Sequence, residues 1–130
     1  MNVSFWVDPA CPWCWMTARW AVDVVTPVRD LTISWEPISL LFKNEPAEDS
    51  EYYVANQFTH RLLRVMQAVK DGEGDDAARL LYWQYGAVLH HDRAAGTVDA
   101  AKVLSAGAEP FLEAAGLPWK YAEAYDDESW

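Results

Sequence analysis

The sequence predicts an α/β fold in a single domain: a strand–helix–strand unit over residues 1–42, followed by a mainly helical region over residues 43–130. Two runs, residues 3–7 and 31–36, alternate apolar and polar side chains with the period of two that marks a half-buried strand. The stretch between them carries its apolar residues at helical spacing, and beyond residue 50 helical spacing is the only pattern left.

Each element has local reasons. Val3, Ser4, Phe5, Trp6 and Val7 combine alternation with β-branched and aromatic residues, and Asp8-Pro9 stops the strand. Pro12 suits the first turn of a helix, where its missing N–H costs nothing; Trp20 and Val24 continue that helix to about Val25, where Thr26-Pro27 ends it. Leu31, Ile33 and Trp35 alternate with Thr32, Ser34 and Glu36 until Pro37 interrupts the ladder. Two strands joined by one helix are expected to pair in parallel with a right-handed crossover. After Ser39, Lys43, Asn44, Glu45 and Pro46 read as a polar loop. Val54, Phe58, Leu62, Val65 and Val69 then form one face of a helix from about Glu51 to Lys70, closed by Gly72-Glu73-Gly74.

Asp75 is placed to cap a third helix, with Ala78, Leu81, Tyr82, Tyr85 and Leu89 on one side, ending near His91. Thr97 is placed to cap a short fourth helix, Pro110 and Pro118 to open two more, and Gly116 to terminate the first of these. The last ten residues carry Glu123, Asp126, Asp127 and Glu128 with no basic residue, and are expected to fray as a solvated acidic end.

Ten basic residues against twenty acidic ones give a net charge of −10, which repels phosphate backbones and anionic lipid and argues against nucleic-acid or membrane-surface partners. No apolar run approaches the roughly 20 residues of a membrane helix. The start of the chain lacks a basic leader and a long apolar segment, so a cytoplasmic protein is expected. Cys11 and Cys14 are the only two cysteines, which excludes a secretory disulfide framework and leaves one local pair to explain.

That pair lies at a strand-to-helix turn, as Cys11-Pro12-Trp13-Cys14. Backbone N–H groups at a helix start are unpaired and the helix dipole is positive there, so a thiolate at Cys11 is stabilised. Cys14 follows one helical turn on, within reach of a mixed disulfide formed at Cys11; Cys11 is then the nucleophile and Cys14 the resolving thiol. Trp13 offers a stackable apolar surface beside the reactive sulfur. A zinc site would need two more ligands, and neither His60 nor the adjacent His90 and His91, which point to different helix faces, supplies them; no metal is expected. The three histidines read mainly as structural residues, with His90 or His91 the candidates for a polar site wall. Of Trp6, Trp13, Trp15, Trp20 and Trp35, most read as core, and Trp13 alone as a possible contact for a substrate or small thiol.

The run Phe5-Trp6-Val7-Asp8-Pro9-Ala10-Cys11-Pro12-Trp13-Cys14-Trp15-Met16-Thr17-Ala18-Arg19-Trp20, with Val28-Arg29-Asp30-Leu31, Ser39-Leu40 and Asn44-Glu45 beyond it, resembles the mycothiol-dependent nitroreductase family of actinobacteria, a cytoplasmic branch of the DsbA-like thioredoxin superfamily. The resemblance implies a thioredoxin-like fold with a helical insertion, a reactive Cys11, a resolving Cys14, and mycothiol as the reducing thiol. It also implies a thiol-binding wall of Pro12, Trp13 and Asn44. A tyrosine early in the insertion helix belongs to the same site in relatives; Tyr52 and Tyr53 stand near that place, and Tyr53 is carried over. Complete members continue into a Thr-Pro segment with a cis-proline, two antiparallel strands and a final helix. No such segment is found here, so an incomplete sheet and self-association through strand edges or apolar helix faces are expected.

The expected activity is thiol–disulfide oxidoreduction, with mycothiol as the low-molecular-weight thiol partner and a disulfide or nitroaromatic acceptor. The alternatives are a DsbA-like oxidoreductase acting on proteins and a non-catalytic interaction module with inert or metal-bound cysteines.

Overall fold

A computed structural model of the chain describes residues 1–92, 96 and 100–130. Strand β1 (Asn2–Val7) pairs in parallel with β2 (Thr32–Pro37), Phe5 facing Trp35 and Val7 facing Pro37. Pro37 enters the ladder only at its end, where a missing N–H is tolerated. Helix α1 (Pro12–Trp20) makes the crossover and widens into a π-helical turn, Ala21–Val25, in which the Thr26 N–H reaches back five residues to the Ala21 carbonyl at 3.0 Å. The two strands are the whole sheet among the described residues, and the rest is helical.

The chain leaving β2 departs from the expected polar loop. Residues 40–44 form a short helix, α2 (Leu40–Asn44), because its first N–H is satisfied from far away: the Leu40 N–H donates to Asp8 Oδ2 at 2.7 Å. Glu45 closes it in the left-handed region, at φ 44°. Helix α3 (Glu51–Glu73) runs past the expected end at Lys70 and stops at Gly74, whose φ of 96° suits a residue without a side chain. Helix α4 (Asp75–Gly86) continues into a second π-helical stretch, Ala87–Asp92. Asp75 does not cap α4. It is the first helical residue, and its carboxylate accepts instead from the Trp35 N–H at 2.9 Å and lies 3.5 Å from Lys70 Nζ. Lys70 in turn donates to the Trp35 carbonyl and pairs with Glu36 at 2.6 Å, so the junction of α3 and α4 is bolted to β2.

Helices α5 (Ala100–Ala106) and α6 (Glu109–Ala115) follow; Thr97, the expected cap, lies outside the described residues. Pro110 sits in the first turn of α6 and Gly116 ends it at φ 71°, as the sequence implies. A 3₁₀ segment, Trp119–Asp126, closes the chain behind Pro118. This end does not fray as expected. Tyr121 and Ala124 are buried, Tyr121 donates to Glu73 at 2.8 Å, and Arg61 and Arg64 of α3 reach Asp126 and the Tyr125 carbonyl. Among the described residues Asp126 alone of the four acids meets a basic partner, Arg61 of α3, and all four acidic side chains stay exposed, as the sequence implies; the segment is held by its aromatic residues and backbone.

One core joins both halves of the chain: Val7, Trp15 and Trp35 pack with Phe58, Leu62, Val65, Met66 and Val69 of α3, and with Leu81, Tyr82 and Tyr85 of α4. The helical stripes hold except at Val54, which is exposed. Trp6 and Trp20 also differ from expectation and lie exposed, because Trp6 faces the uncovered side of the sheet and Trp20 the outer side of α1.

Candidate active site

β1 ends in Asp8, and this residue builds the turn that follows. Its side chain is fully buried, with Oδ1 accepting the Ala10 N–H at 2.8 Å and Oδ2 the Leu40 N–H at 2.7 Å, while its carbonyl accepts the Cys11 N–H at 3.0 Å. Burial pushes the Asp8 carboxyl up from the usual range; the two backbone donors and a hydrogen bond to Thr59 pull the other way. One side chain therefore fixes both the entry to α1 and the entry to α2.

Cys11 is the N-cap of α1, and its sulfur accepts the Cys14 N–H at 3.3 Å. Sulfur here takes the role that a serine or aspartate oxygen plays at other helix starts, where free N–H groups favour an anion. Pro12 occupies the first helical position. Both cysteines are free thiols and both are half-exposed. Cys14 differs from its neighbour: burial first, then its hydrogen bond to Cys11, push its thiol up to about 11, against a smaller lowering from the Asp8 backbone. The pair is thus asymmetric, with an inner thiol held in its protonated form at neutral pH.

Behind the turn stands an aromatic wall. Trp15 is buried against Tyr82 and Trp83 of α4, and its indole N–H donates to His91 Nε2 at 3.0 Å. Arg19 Nη1 lies 3.2 Å from the same nitrogen, so Nε2 accepts and the ring proton sits on Nδ1. His90 Nε2 donates to the Pro9 carbonyl at 2.8 Å, two residues before Cys11. His90 and His91, read from sequence mainly as structural, both reach the dithiol turn. Gly86 lets the wall close, since a Cβ there would overlap the Trp15 ring. The Tyr82 hydroxyl is buried without a hydrogen-bond partner among the described residues; burial, then the charges of Cys14, Cys11 and Asp8, raise it far above the usual phenol range.

Of the residues proposed from sequence, Cys11, Pro12, Trp13 and Cys14 share this turn, with Trp13 projecting outward at 72% exposure. Asn44 lies exposed at the end of α2 and Tyr53 half-buried in the first turn of α3. These two elements pack against each other and α2 is tied to the turn through Asp8. Neither Asn44 nor Tyr53 makes a hydrogen bond or ring contact to the dithiol among the described residues.

A family model described as Rv2466c-like, mycothiol-dependent nitroreductase Rv2466c, matches residues 10–130. The chain belongs to this family. The matched span takes in the dithiol turn, the aromatic wall and the C-terminal 3₁₀ segment, so membership in this family of mycothiol-dependent nitroreductases covers the whole candidate site except Asp8 and Pro9. Among the described residues no helix is long and apolar enough to cross a membrane, and no three His, Cys, Asp or Glu side chains gather as a metal site.

Asp8, Tyr82 and Arg19 are what sequence reasoning missed as site-builders, while His90 and His91, the sequence's candidates for a polar site wall, do line it. For Asp8 a signal existed, an acid just before the Cys-x-x-Cys; for Tyr82 and Arg19 none did, since they meet the turn only through tertiary packing.

Proposed function

We propose that this chain is a cytoplasmic thiol–disulfide oxidoreductase with a thioredoxin-like core, using the Cys11–Cys14 dithiol and mycothiol to reduce a nitroaromatic or disulfide acceptor. The observation that carries this is the asymmetry of the pair: Cys11 caps the helix with its sulfur on the Cys14 N–H, while Cys14 is held protonated by burial. An outer thiol at a helix start is the one that meets substrate, and an inner protonated thiol is the one that resolves. Family membership supports mycothiol as the thiol and nitro reduction as the chemistry.

In the oxidative half, Cys11 and Cys14 give up two electrons and two protons and form one S–S bond. A nitro group taking them becomes a nitroso group and water; a disulfide taking them becomes two thiols. In the reductive half, the Cys11 sulfur forms a mixed disulfide with one mycothiol, releasing Cys14 as a thiol, and a second equivalent frees Cys11 and leaves as the mycothiol disulfide. The exposed Trp13 indole beside a half-exposed Cys11 suits approach by a small thiol. Asn44 and Tyr53 are proposed to complete the wall once substrate draws α2 and α3 to it.

The test is turnover of a nitroaromatic acceptor with mycothiol, together with mass analysis of Cys14→Ser. Exchange of the Cys11 thiol of that variant with mycothiol disulfide, which leaves one mycothiol on Cys11 and releases the other as a thiol, with no turnover in Cys11→Ser, is the expected result. Unchanged turnover in Cys11→Ser, or an adduct on Cys14 in the intact chain, would overturn the reading.

A further inference from the structure

The π-helical stretch Ala87–Asp92 holds α1 through a single lone pair. His91 Nε2 faces two donors at once, the Trp15 indole N–H at 3.0 Å and Arg19 Nη1 at 3.2 Å, both from α1. An imidazole nitrogen accepts only while it carries no proton, so this contact exists for the neutral ring alone. Trp15 ties it to the thiols. That residue follows Cys14 directly, its backbone N–H donates to the Cys11 carbonyl at 3.3 Å, and its ring is buried at 4% exposure. His91 itself is exposed, so protons from solvent reach it without any opening of the core.

His90 has the opposite arrangement. Its Nε2 donates to the Pro9 carbonyl at 2.8 Å, and a second proton on Nδ1 leaves that donor in place. One histidine thus keeps its bond in either charge state, while the other keeps it in only one. The charges around the pair do not welcome a further cation. Arg19 of α1 lies 5.8 Å over the Trp15 ring, and Arg79 of α4 lies over Trp83, which packs against Trp15. Asp8, at the turn, is buried with both carboxylate oxygens on backbone N–H groups. Among the described residues no carboxylate forms an ion pair with Arg19, Arg79 or His91. An imidazolium at His91 would therefore set its own N–H against two others, one of them cationic.

We propose that His91 is a positioning residue of the dithiol turn that works as an acid-released clamp. Neutral, it fixes Trp15 and Arg19 against the π-helical stretch. Protonated on Nε2, it gives up both bonds and swings toward solvent, water takes the indole N–H, and the inner face of α1 loosens under both sulfurs. The clamp acts on the seat of the turn whichever thiol reacts first, so it stands apart from the roles assigned to Cys11 and Cys14.

The test is an NMR titration of the reduced, isotopically labelled protein from about pH 8 to about pH 5, the span in which histidine changes charge. It reads the ring signals of His90 and His91, the Trp15 Nε1–H and the Ala18 amide. The indole signal is expected to move in step with the His91 ring and not with His90, and the Ala18 amide to follow. His91→Gln, whose Oε1 accepts from both donors and takes up no proton, should hold the indole signal at its neutral-pH position throughout. His91→Leu, which cannot accept, should hold it at the acid position even at high pH. A residue that merely fills space would not separate these two variants. An indole signal that stays still while His91 titrates would overturn the proposal, as would a step that follows His90 or persists in His91→Gln. So would a His91 ring that stays neutral down to about pH 5. The titration of the unaltered chain decides the matter even where a variant fails to fold.

Discussion

The two faces of α1 live in different worlds. The inner face carries Trp15 and Ala18, both buried, and is gripped by Tyr82, Trp83, His90, His91 and the gap at Gly86. The outer face carries Trp13, Met16, Trp20 and Val24, spaced three and four apart, each more than half exposed. Cys11 opens the helix between them and Cys14 turns inward. The lesson is a division along one helix: the inner face is held by packing and fixes where the sulfurs are, and the outer face is left to solvent. Substitutions on the two faces should therefore fail in different ways.

The largest loss is expected at the latch that sets the helix in place. Asp8→Ala leaves the Ala10 and Leu40 N–H groups without their acceptor, at about 1–3 kcal/mol each. Some of that returns because a desolvated carboxylate is no longer buried, so a net destabilisation of about 2–4 kcal/mol is expected by denaturant melts. A change below about 0.5 kcal/mol would show that α2 and the turn are not joined through Asp8.

Next comes the gap. Gly86→Ala places a methyl group inside the Trp15 ring envelope and is expected to cost about 1–3 kcal/mol despite the better helix propensity of alanine. The Trp15 fluorescence environment should change with it. A stabilised variant would mean that the inner face has room to spare.

Substitution on the outer face should scarcely touch stability. Trp20→Ser, at a position 57% exposed, is expected to move the melt by no more than about 0.5 kcal/mol while reducing any self-association seen by sedimentation at high concentration. A cooperative collapse of the fold in this variant would erase the distinction between the faces.

Much of this was legible in sequence, and the reason is locality. The strands, α1, the spans of α3 and α4, and the cysteine pair at a helix start all follow from periods and punctuation within a few residues. What was hidden depends on contacts across the chain. α2 read as a loop because its first N–H is met by Asp8, 32 residues earlier. His91 was a candidate for a site wall, but its partner, Trp15, 76 residues away, was not legible. Trp6 and Trp20 read as core because hydrophobicity alone does not say which side of a two-stranded sheet, or of a helix, will be covered. The acidic side chains are solvated as read, but the anchoring of that end was hidden because Arg61, Arg64 and Glu73 stand on another helix.

The division of the dithiol into an outer nucleophile and an inner resolving thiol is tested most directly by alkylation of the reduced protein across pH, each cysteine read separately by mass. With the Cys14 thiol pushed up to about 11, labelling of Cys14 should lag that of Cys11 and rise only as the pH approaches that value. The sign for stability follows: the folded state holds the Cys14 proton more tightly than the unfolded chain, so this contribution is full below about 9 and is lost as the pH rises toward about 11. Equal labelling of both thiols at pH 7, or labelling of Cys14 first, would contradict the asymmetry and with it the assignment of roles.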